Sequence, residues 1–434
     1  MLSVLRNTWA LLGGLLLLMI GNGMQGTLLG IRGVIEGFSS FALSIVMAGY
    51  FLGFLFAARA TPWMIGRVGH VRVFAALASI ISACFVLFPT FPDEIAWVIL
   101  RVIVGFCFCG VYVVSESWLN GSTDNATRGK ALSAYMIVQL VGVTVAQALI
   151  NLTPPDGWYP FVTISVLVSI SFAPILLSMS PAPAFGETRR MSLRQLYRAS
   201  PLGVVAIFAL GMVYSASFGM AAVFGSAMGM SVAQISLFVG AIYVGALITQ
   251  YPLGWLSDRM DRRMLIVIVC LTGALACVLG ASGGGFGLMV AAALLFGGMS
   301  MPLYALVLAY TNDHLDPQDM AAASGGLLFA NGVGAVAGAP ILGAAMDLAG
   351  PWMFFALNGA VLAGIALYAV WRMTRRPAPD PAEATPYAPV LPQATPVALE
   401  VLSEVAEQRA VAEEEGARQG DEGAVAPAAA RSDG

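Results

Sequence analysis

The sequence predicts an all-α membrane protein, with twelve spanning helices in two pseudo-symmetric halves of six. Three observations carry this. Of the 434 residues, 59% are hydrophobic and only 10% charged, with a mean hydropathy of +0.83, whereas a soluble domain is about 25% charged. The apolar residues fall into twelve runs, most of 18 residues or more, long enough as helices to cross about 30 Å of hydrocarbon. A basic loop between the second and third runs also recurs 192 residues later, between the eighth and ninth. The runs are solidly apolar and do not alternate with polar residues, which excludes a membrane β-barrel.

The first run, residues 9–31, follows Arg6 and opens with Leu11 to Leu18. It has the start of a secretory leader, but it continues past residue 20 without a small-residue cleavage pattern, so it reads as a retained spanning helix. Runs follow at 40–60, 73–90, 95–119, 131–151 and 158–179. A Pro-rich and then basic segment, 181–200, separates these six from runs at 201–225, 231–255, 264–282, 286–311, 320–346 and 351–373. The domain reading is therefore 1–180, a cytoplasmic linker at 181–200, 201–376, and a tail at 377–434. The fifth and eleventh runs share glycine-rich stretches around Gly142 and Gly334 to Gly338, a second sign of repetition. Residues 374–434 hold 11 of the 24 acidic residues among Pro and Ala. That composition cannot bury a core and predicts a disordered tail, dispensable for folding and transport.

Lys and Arg set the orientation. One set of loops and termini carries sixteen of them, from Arg6, Arg59, Arg67 and Arg72 through Arg128, Lys130 and Arg194 to Arg376, against Arg32 alone on the other side. Both termini are thus expected in the cytoplasm. The net charge of -3 averages basic loops with an acidic tail and gives no reason to expect a nucleic-acid partner. The five cysteines lie inside apolar runs at spacings that fit no zinc site, and His70 and His314 have no ligand pattern around them, so no metal and no cofactor is expected.

The charged loop Gly254-Trp-Leu256-Ser-Asp258-Arg259-Met-Asp261-Arg262-Arg263 resembles the signature between the second and third helices of each half in the major facilitator superfamily (MFS). Arg67-Val-Gly69-His-Val-Arg72 occupies the matching place in the first half. Gly110 to Asn120, with Glu116 and Trp118, and Arg128 to Met136 resemble the YcaD-like bacterial branch of that family. The resemblance covers residues 1 to about 376. It implies the MFS fold, and a proton-coupled secondary active transporter working by alternating access as a multi-pass monomer in a bacterial inner membrane. Its partners would be a small-molecule substrate, protons and the lipid bilayer. In the first loop the family's leading Gly and Asp are replaced by Pro62 and Gly66, so a carboxylate expected to pair with arginine is missing. The fifth helix reads Gly142-Val-Thr-Val-Ala146-Gln147 and lacks the Gly-Pro signature of drug/proton antiporters.

The fourth run carries the two most costly residues, Arg101 and Glu116. At about 100° per residue, Arg101, Gly105, Phe108, Tyr112 and Glu116 share a stripe roughly 80° wide that should face the protein interior. Arg101 and Glu116 stand about 22 Å apart along the helix, too far to pair. Arg101 is either a cavity arginine, as Arg101-x-x-x-Gly105 suggests by resemblance to proton-coupled facilitators, or a residue snorkelling to the outer interface. Glu116 is expected to close the cytoplasmic side by pairing with Arg67 or Arg72. The gate set is Arg67, Gly69, Arg72, Glu116, Gly254, Asp258, Arg259 and Arg263. Asn22, Gln25, Tyr112, Gln139, Tyr214, Tyr243, Tyr304 and Asn331 complete a candidate cavity with Arg101. Each alone could equally be an interhelical hydrogen bond. Such a lining, without a mid-membrane carboxylate, suits a small neutral or anionic organic solute. A polytopic membrane enzyme and a non-transporting sensor are the alternatives. The first would need a nucleophile or metal constellation that the sequence lacks. No Gly-x-x-x-x-Gly-Lys-Ser/Thr loop is present, so the energy source is a gradient and not a nucleotide.

Overall fold

The computed structural model describes residues 2–121, 125–176, 191–315, 317–375 and Tyr387; every described segment longer than a turn is helical. The helices are α1 (Leu2–Ile35), α2 (Ser40–Val68), α3 (His70–Thr90), α4 (Glu94–Gly121), α5 (Asn125–Leu149), α6 (Tyr159–Ser171), α7 (Ala173–Leu176), α8 (Leu193–Ala199), α9 (Pro201–Ser215), α10 (Ala221–Ala227), α11 (Val232–Ser257), α12 (Arg262–Ala281), α13 (Gly285–Asn312), α14 (Pro317–Ala349) and α15 (Met353–Met373). By length and composition, 11 segments of the described chain can cross a membrane, α9 and α10 forming one of them.

The sixth apolar run departs from expectation. It forms α6, only 13 residues long, about 20 Å at helical rise, and continues after Phe172 as the short α7. Pro174 has no amide to offer Ile170, so the ladder breaks there. A second irregularity lies between α9 and α10, where Ala216–Met220 form a π-helical turn. Ser217 Oγ donates to Val213 O at 3.0 Å, and α1 comes so close that a Cβ on Gly26 would sit 2.7 Å from Phe218 O. Both features disturb a regular ladder at this point.

The packing repeats at a constant offset. A Cβ on Gly53 of α2 would meet Val102 O of α4 at 1.9 Å, and one on Gly105 would meet Tyr50 O at 1.9 Å. Advancing each residue by 192 gives the same contact in α11 and α13: Gly245 meets Leu294 O at 1.9 Å and Gly297 meets Ile242 O at 2.1 Å. Gly142 of α5 against Leu16 O of α1 has its counterpart in Gly334 of α14 against Phe208 O of α9. Lipid supplies no hydrophobic drive between helices, so close approach through small residues is what binds these pairs. α1 to α6 pack on one another, as do α9 to α15, and the two sets meet where α2 lies on α14, α1 on α10 and α5 on α11.

At one end of the α2–α14 seam, Asp347 caps the start of α2. Its Oδ1 accepts from Ser40 N at 3.1 Å and its Oδ2 from Phe41 N at 2.9 Å, placing a carboxylate on the positive end of a helix. The five cysteines are all buried. Of the tail, only Tyr387 belongs to the described residues; Arg189, Arg190, Arg376 and the rest of 377–434 lie outside them, as do the side chains of Arg6, Arg128 and Lys130.

Because the glycine contacts are made to backbone atoms, Gly105→Ala and Gly297→Ala should each lower the unfolding midpoint in detergent, by a cost of about 1–3 kcal/mol for overpacking. Gly66→Ala, in open space, should leave the midpoint unchanged or raise it slightly through helix propensity. Equal effects at all three positions would refute the account of the packing.

Candidate functional site

Where α1, α2, α4 and α9 converge, a chain of polar side chains is buried. Arg101 is 0% exposed; its Nη1 donates to Gln25 Oε1 at 2.8 Å, and Gln25 Nε2 donates in turn to Asn22 Oδ1. Asn22 Nδ2 donates to Tyr112 OH at 2.8 Å, and Tyr50 OH reaches Asn22 Oδ1 at 3.5 Å. The guanidinium lies over the Tyr50 ring, 4.8 Å from its centroid, with Nη2 3.5 Å from Met47 Sδ. Its Nε has no hydrogen-bond partner among the described residues. The close contact of Gly105 with Tyr50 backbone, one turn from Arg101, sets this cation over its ring.

Aromatic rings surround the chain. Tyr50 packs on Phe51, Phe54, Phe108 and Phe218, and Tyr112 on Phe54 and Phe108. Tyr214 stacks on Phe218 at 5.8 Å, and Phe51 meets both. Phe218 stands in the π-helical turn, so the irregularity of α9 faces the cluster directly. Further along α4, Glu116 is 1% exposed and accepts from Tyr135 OH at 2.7 Å.

The second site is the charged loop between α11 and α12. Arg262, buried, donates from Nη1 to Asp313 Oδ1 at 2.5 Å and to Ala309 O at 3.3 Å at the end of α13, and from Nε to Ser257 Oγ at 3.2 Å. Its Nη2 lies 3.5 Å from Asp258 Oδ1. One guanidinium thus ties three helix ends together. Asp261 is the N-cap of α12, accepting from Arg263 N at 2.9 Å and pairing with Arg263 Nη2 at 2.9 Å. Burial pushes the Asp261 carboxyl up, but the hydrogen bonds and charge of Arg263 outweigh it and hold the group below its ordinary value.

The sequence profile of the Major Facilitator Superfamily matches residues 11–233 and 203–411. The chain belongs to the major facilitator superfamily. A relative from Escherichia coli, described as the uncharacterized MFS-type transporter YcaD, is 26% identical over 341 residues, covering 77% of this chain and 87% of its own. Two solved structures share the fold. The nucleoside transporter NupG has a TM-score of 0.68 at 15% identity, covering 84% of this chain and 99% of its own. A D-xylose-proton symporter has 0.65 at 15%, covering 84% and 96%. This facilitator is therefore a multi-pass membrane transporter and not an enzyme.

Of the residues singled out in this facilitator's sequence, Asn22, Gln25, Arg101 and Tyr112 form one hydrogen-bonded chain, and Tyr214 joins its aromatic surround. Gln139, Tyr243, Tyr304 and Asn331 are buried on α5, α11, α13 and α14, and the bonds of that chain do not include them. Arg101 does not snorkel. Of the expected gate residues, Glu116 is not joined to Arg67 or Arg72, which are both exposed; Arg67 rests over Trp63, 5.4 Å from its centroid. Gly69 adopts φ +85° between α2 and α3, a turn that disfavours a side chain. Arg259 is exposed over Trp255 at 4.2 Å. The cap of α12 is Asp261, whereas Asp258 faces Arg262, and Arg262 is the arginine that pairs with both Asp258 and Asp313.

Sequence reasoning left Arg262, Asp313, Tyr50, Met47 and Phe218 out of the sites. Only Arg262 had a local signal, as the fourth charge of the loop. Arg262→Gln should cost about 3–5 kcal/mol of stability, since it removes the guanidinium paired with the Asp313 carboxylate and bonded to the end of α13. Arg259→Gln should stay within about 0.5 kcal/mol. Denaturant unfolding in detergent distinguishes the two, and equal effects would show that Arg262 is no clamp.

Proposed function

We propose that this facilitator moves a small organic anion across a bacterial inner membrane by alternating access, coupled to protons, as a monomer of twelve spanning helices. The two halves are 1–180 and 201–376, joined by the cytoplasmic linker 181–200. The recurring 192-residue offset of the glycine contacts supports the two halves, and α6 with α7 supplies the twelfth crossing. The charge asymmetry of the loops puts both termini in the cytoplasm.

The observation that carries the substrate reading is Arg101. It is wholly buried in a spanning helix, its Nε unpartnered, and it forms no ion pair with a described residue. A cation without a counter-ion costs several kcal/mol there, which Gln25 and Tyr50 offset only in part, and an anionic group on the solute is what would offset the rest. The Asn22 and Gln25 amides, the Tyr112 hydroxyl and the rings of Tyr50, Phe51 and Phe218 then bind the rest of the molecule, polar on one side and flat or apolar on the other. For coupling, no acidic residue among those described is as buried as Glu116, and the hydroxyl of Tyr135 holds it. The symporter among the structural neighbours is named for protons, which supports the same choice of ion. Asp347 on the amides of α2 belongs, in this orientation, to the outer face, and must release when that face opens.

A thermal-shift screen tests the substrate. At 100 times Kd, a bound solute adds about 2.7 kcal/mol to stability, so organic anions should raise the midpoint of the purified protein and fail to raise that of Arg101→Gln. The variant itself should be as stable as the parent or more so, because it removes a buried charge. Stabilisation by neutral solutes alone, equal in both proteins, would refute the anion reading. Orientation is tested separately: a cysteine at Asp156 should react with an impermeant reagent from outside, and one at Arg194 should not.

A further inference from the structure

We infer that the notch beside Gly254 is a docking site for the chain's own C-terminal segment, filled by Tyr387, and that this contact holds the loop between α11 and α12 closed. Gly254 is buried in the last turn of α11. A Cβ there would lie 2.6 Å from Cδ1 and 2.7 Å from Cε1 of Tyr387, so the ring occupies the space a side chain would take. Gln250 Nε2, one turn earlier, stands 3.5 Å from the phenol oxygen. The backbone N–H of Tyr387 donates to Asp258 Oδ1 at 2.8 Å. One residue thus makes a ring contact, a side-chain contact and a charge-assisted backbone bond, all to the final turns of one helix and its cap.

The oxygen that accepts from Tyr387 is the one facing Arg262 Nη2. Arg262 in turn is clamped to Asp313 and Ala309 at the end of α13. Tyr387 therefore adds a backbone donor to Asp258, whose side chain stays 41% exposed with Tyr387 in place, and extends a network that spans α11, α12 and α13. The first half has no matching seat, because the residues 192 positions earlier are Pro62 in place of Gly254 and Gly66 in place of Asp258. Tyr387 lies twelve positions after Arg375, itself two residues past the end of α15, a reach of up to about 40 Å when extended. Docking is then intramolecular, and modest contacts suffice at the effective concentration of a short tether. On this inference the tail contributes to closing the loop, a role that its composition alone does not suggest.

The closing role rests on the reading of this loop as a gate, so docking and gating are tested apart, in the full chain and in membranes. For docking, the pair Gly254→Cys with Tyr387→Cys should form a disulfide under mild oxidation, since the ring atoms of Tyr387 already reach the Gly254 Cβ position. The pair Gly254→Cys with Val401→Cys should not. For gating, Ser300→Cys places a thiol at a buried site in the middle of α13, and its alkylation from the cytoplasmic side is followed by peptide mass. Tyr387→Ala should raise that rate about tenfold, which corresponds to about 1.4 kcal/mol, and Asp258→Asn should raise it as well. Absence of the disulfide overturns the docking, whatever Asp258→Asn does. A disulfide with faster alkylation in Asp258→Asn but not in Tyr387→Ala overturns the closing role and leaves the gate standing. Unchanged rates in both variants remove the gate and the inference together.

Discussion

The backbone contact of α2 with α4 through Gly53 and Gly105 is the constraint on which the central site depends. With no side chain at either glycine, the Tyr50 carbonyl comes against Gly105 and the Val102 carbonyl against Gly53. Arg101, one residue before Val102, is then carried over the ring of Tyr50. A helix pair held by larger residues would stand 8–10 Å apart, too far for this register to place a guanidinium on the facing ring and still reach Gln25 on α1. The same contact in α11 and α13 at Gly245 and Gly297 serves packing alone, since Ala293 stands where Arg101 stands in the first set.

That comparison extends along the chain, and it separates scaffold from chemistry. Residues 192 apart agree where helices touch and differ where charge is buried. Tyr112 matches Tyr304, and Gly142 matches Gly334, but Asn22 corresponds to Tyr214, Gln25 to Ser217, and Glu116 to Leu308. The clamp is distributed the other way. Asp258 and Asp313 have Gly66 and Gly121 as their counterparts, so among the described residues the ion pairs of this clamp occur in the later set. Buried cation and loop clamp thus lie on opposite sides of the α2–α14 and α5–α11 seams.

Most of the fold was legible because hydropathy in a membrane protein is a nearly direct record of burial in lipid. Run boundaries, basic loops and the stripe of Arg101, Tyr112 and Glu116 all follow from it. What was illegible depends on local backbone or on partners distant in sequence. Pro174 inside an apolar run splits the sixth helix without altering its hydropathy. The π-helical turn at Ala216–Met220 depends on where α1 passes Phe218. Tyr50 and Phe218 read as ordinary core aromatics until the register of α2 against α4 and α9 is known. In the loop, five arginines and aspartates lie within six residues, and only the position of Asp313, 51 residues on, selects Arg262 as the clamp. Glu116 was assigned to Arg67 or Arg72 from helix ends alone, whereas both arginines extend away from the interior. Tyr387 was invisible in composition because an isolated aromatic in a Pro/Ala-rich tail carries no periodicity.

The magnitudes around Arg101 decide what its site can hold. A hydrogen bond from a charged group to a neutral amide contributes about 1.5–3 kcal/mol, and a desolvated cation–π contact about 2. Removing one ion from water costs several kcal/mol even after relaxation, so Gln25 and Tyr50 together leave the charge close to balance at best, with Nε still unpaired. The groups that compensate it also form the seam between the helix sets. Met47, against Nη2, packs on Gly219, where a Cβ would lie 2.8 Å away, and Tyr50 packs on Phe218, both in the π-helical turn of α9. A displacement of the guanidinium from Met47 and Tyr50 therefore acts on the contact between α2 and the π-helical turn, so the buried charge is mechanically joined to the seam between the two helix sets.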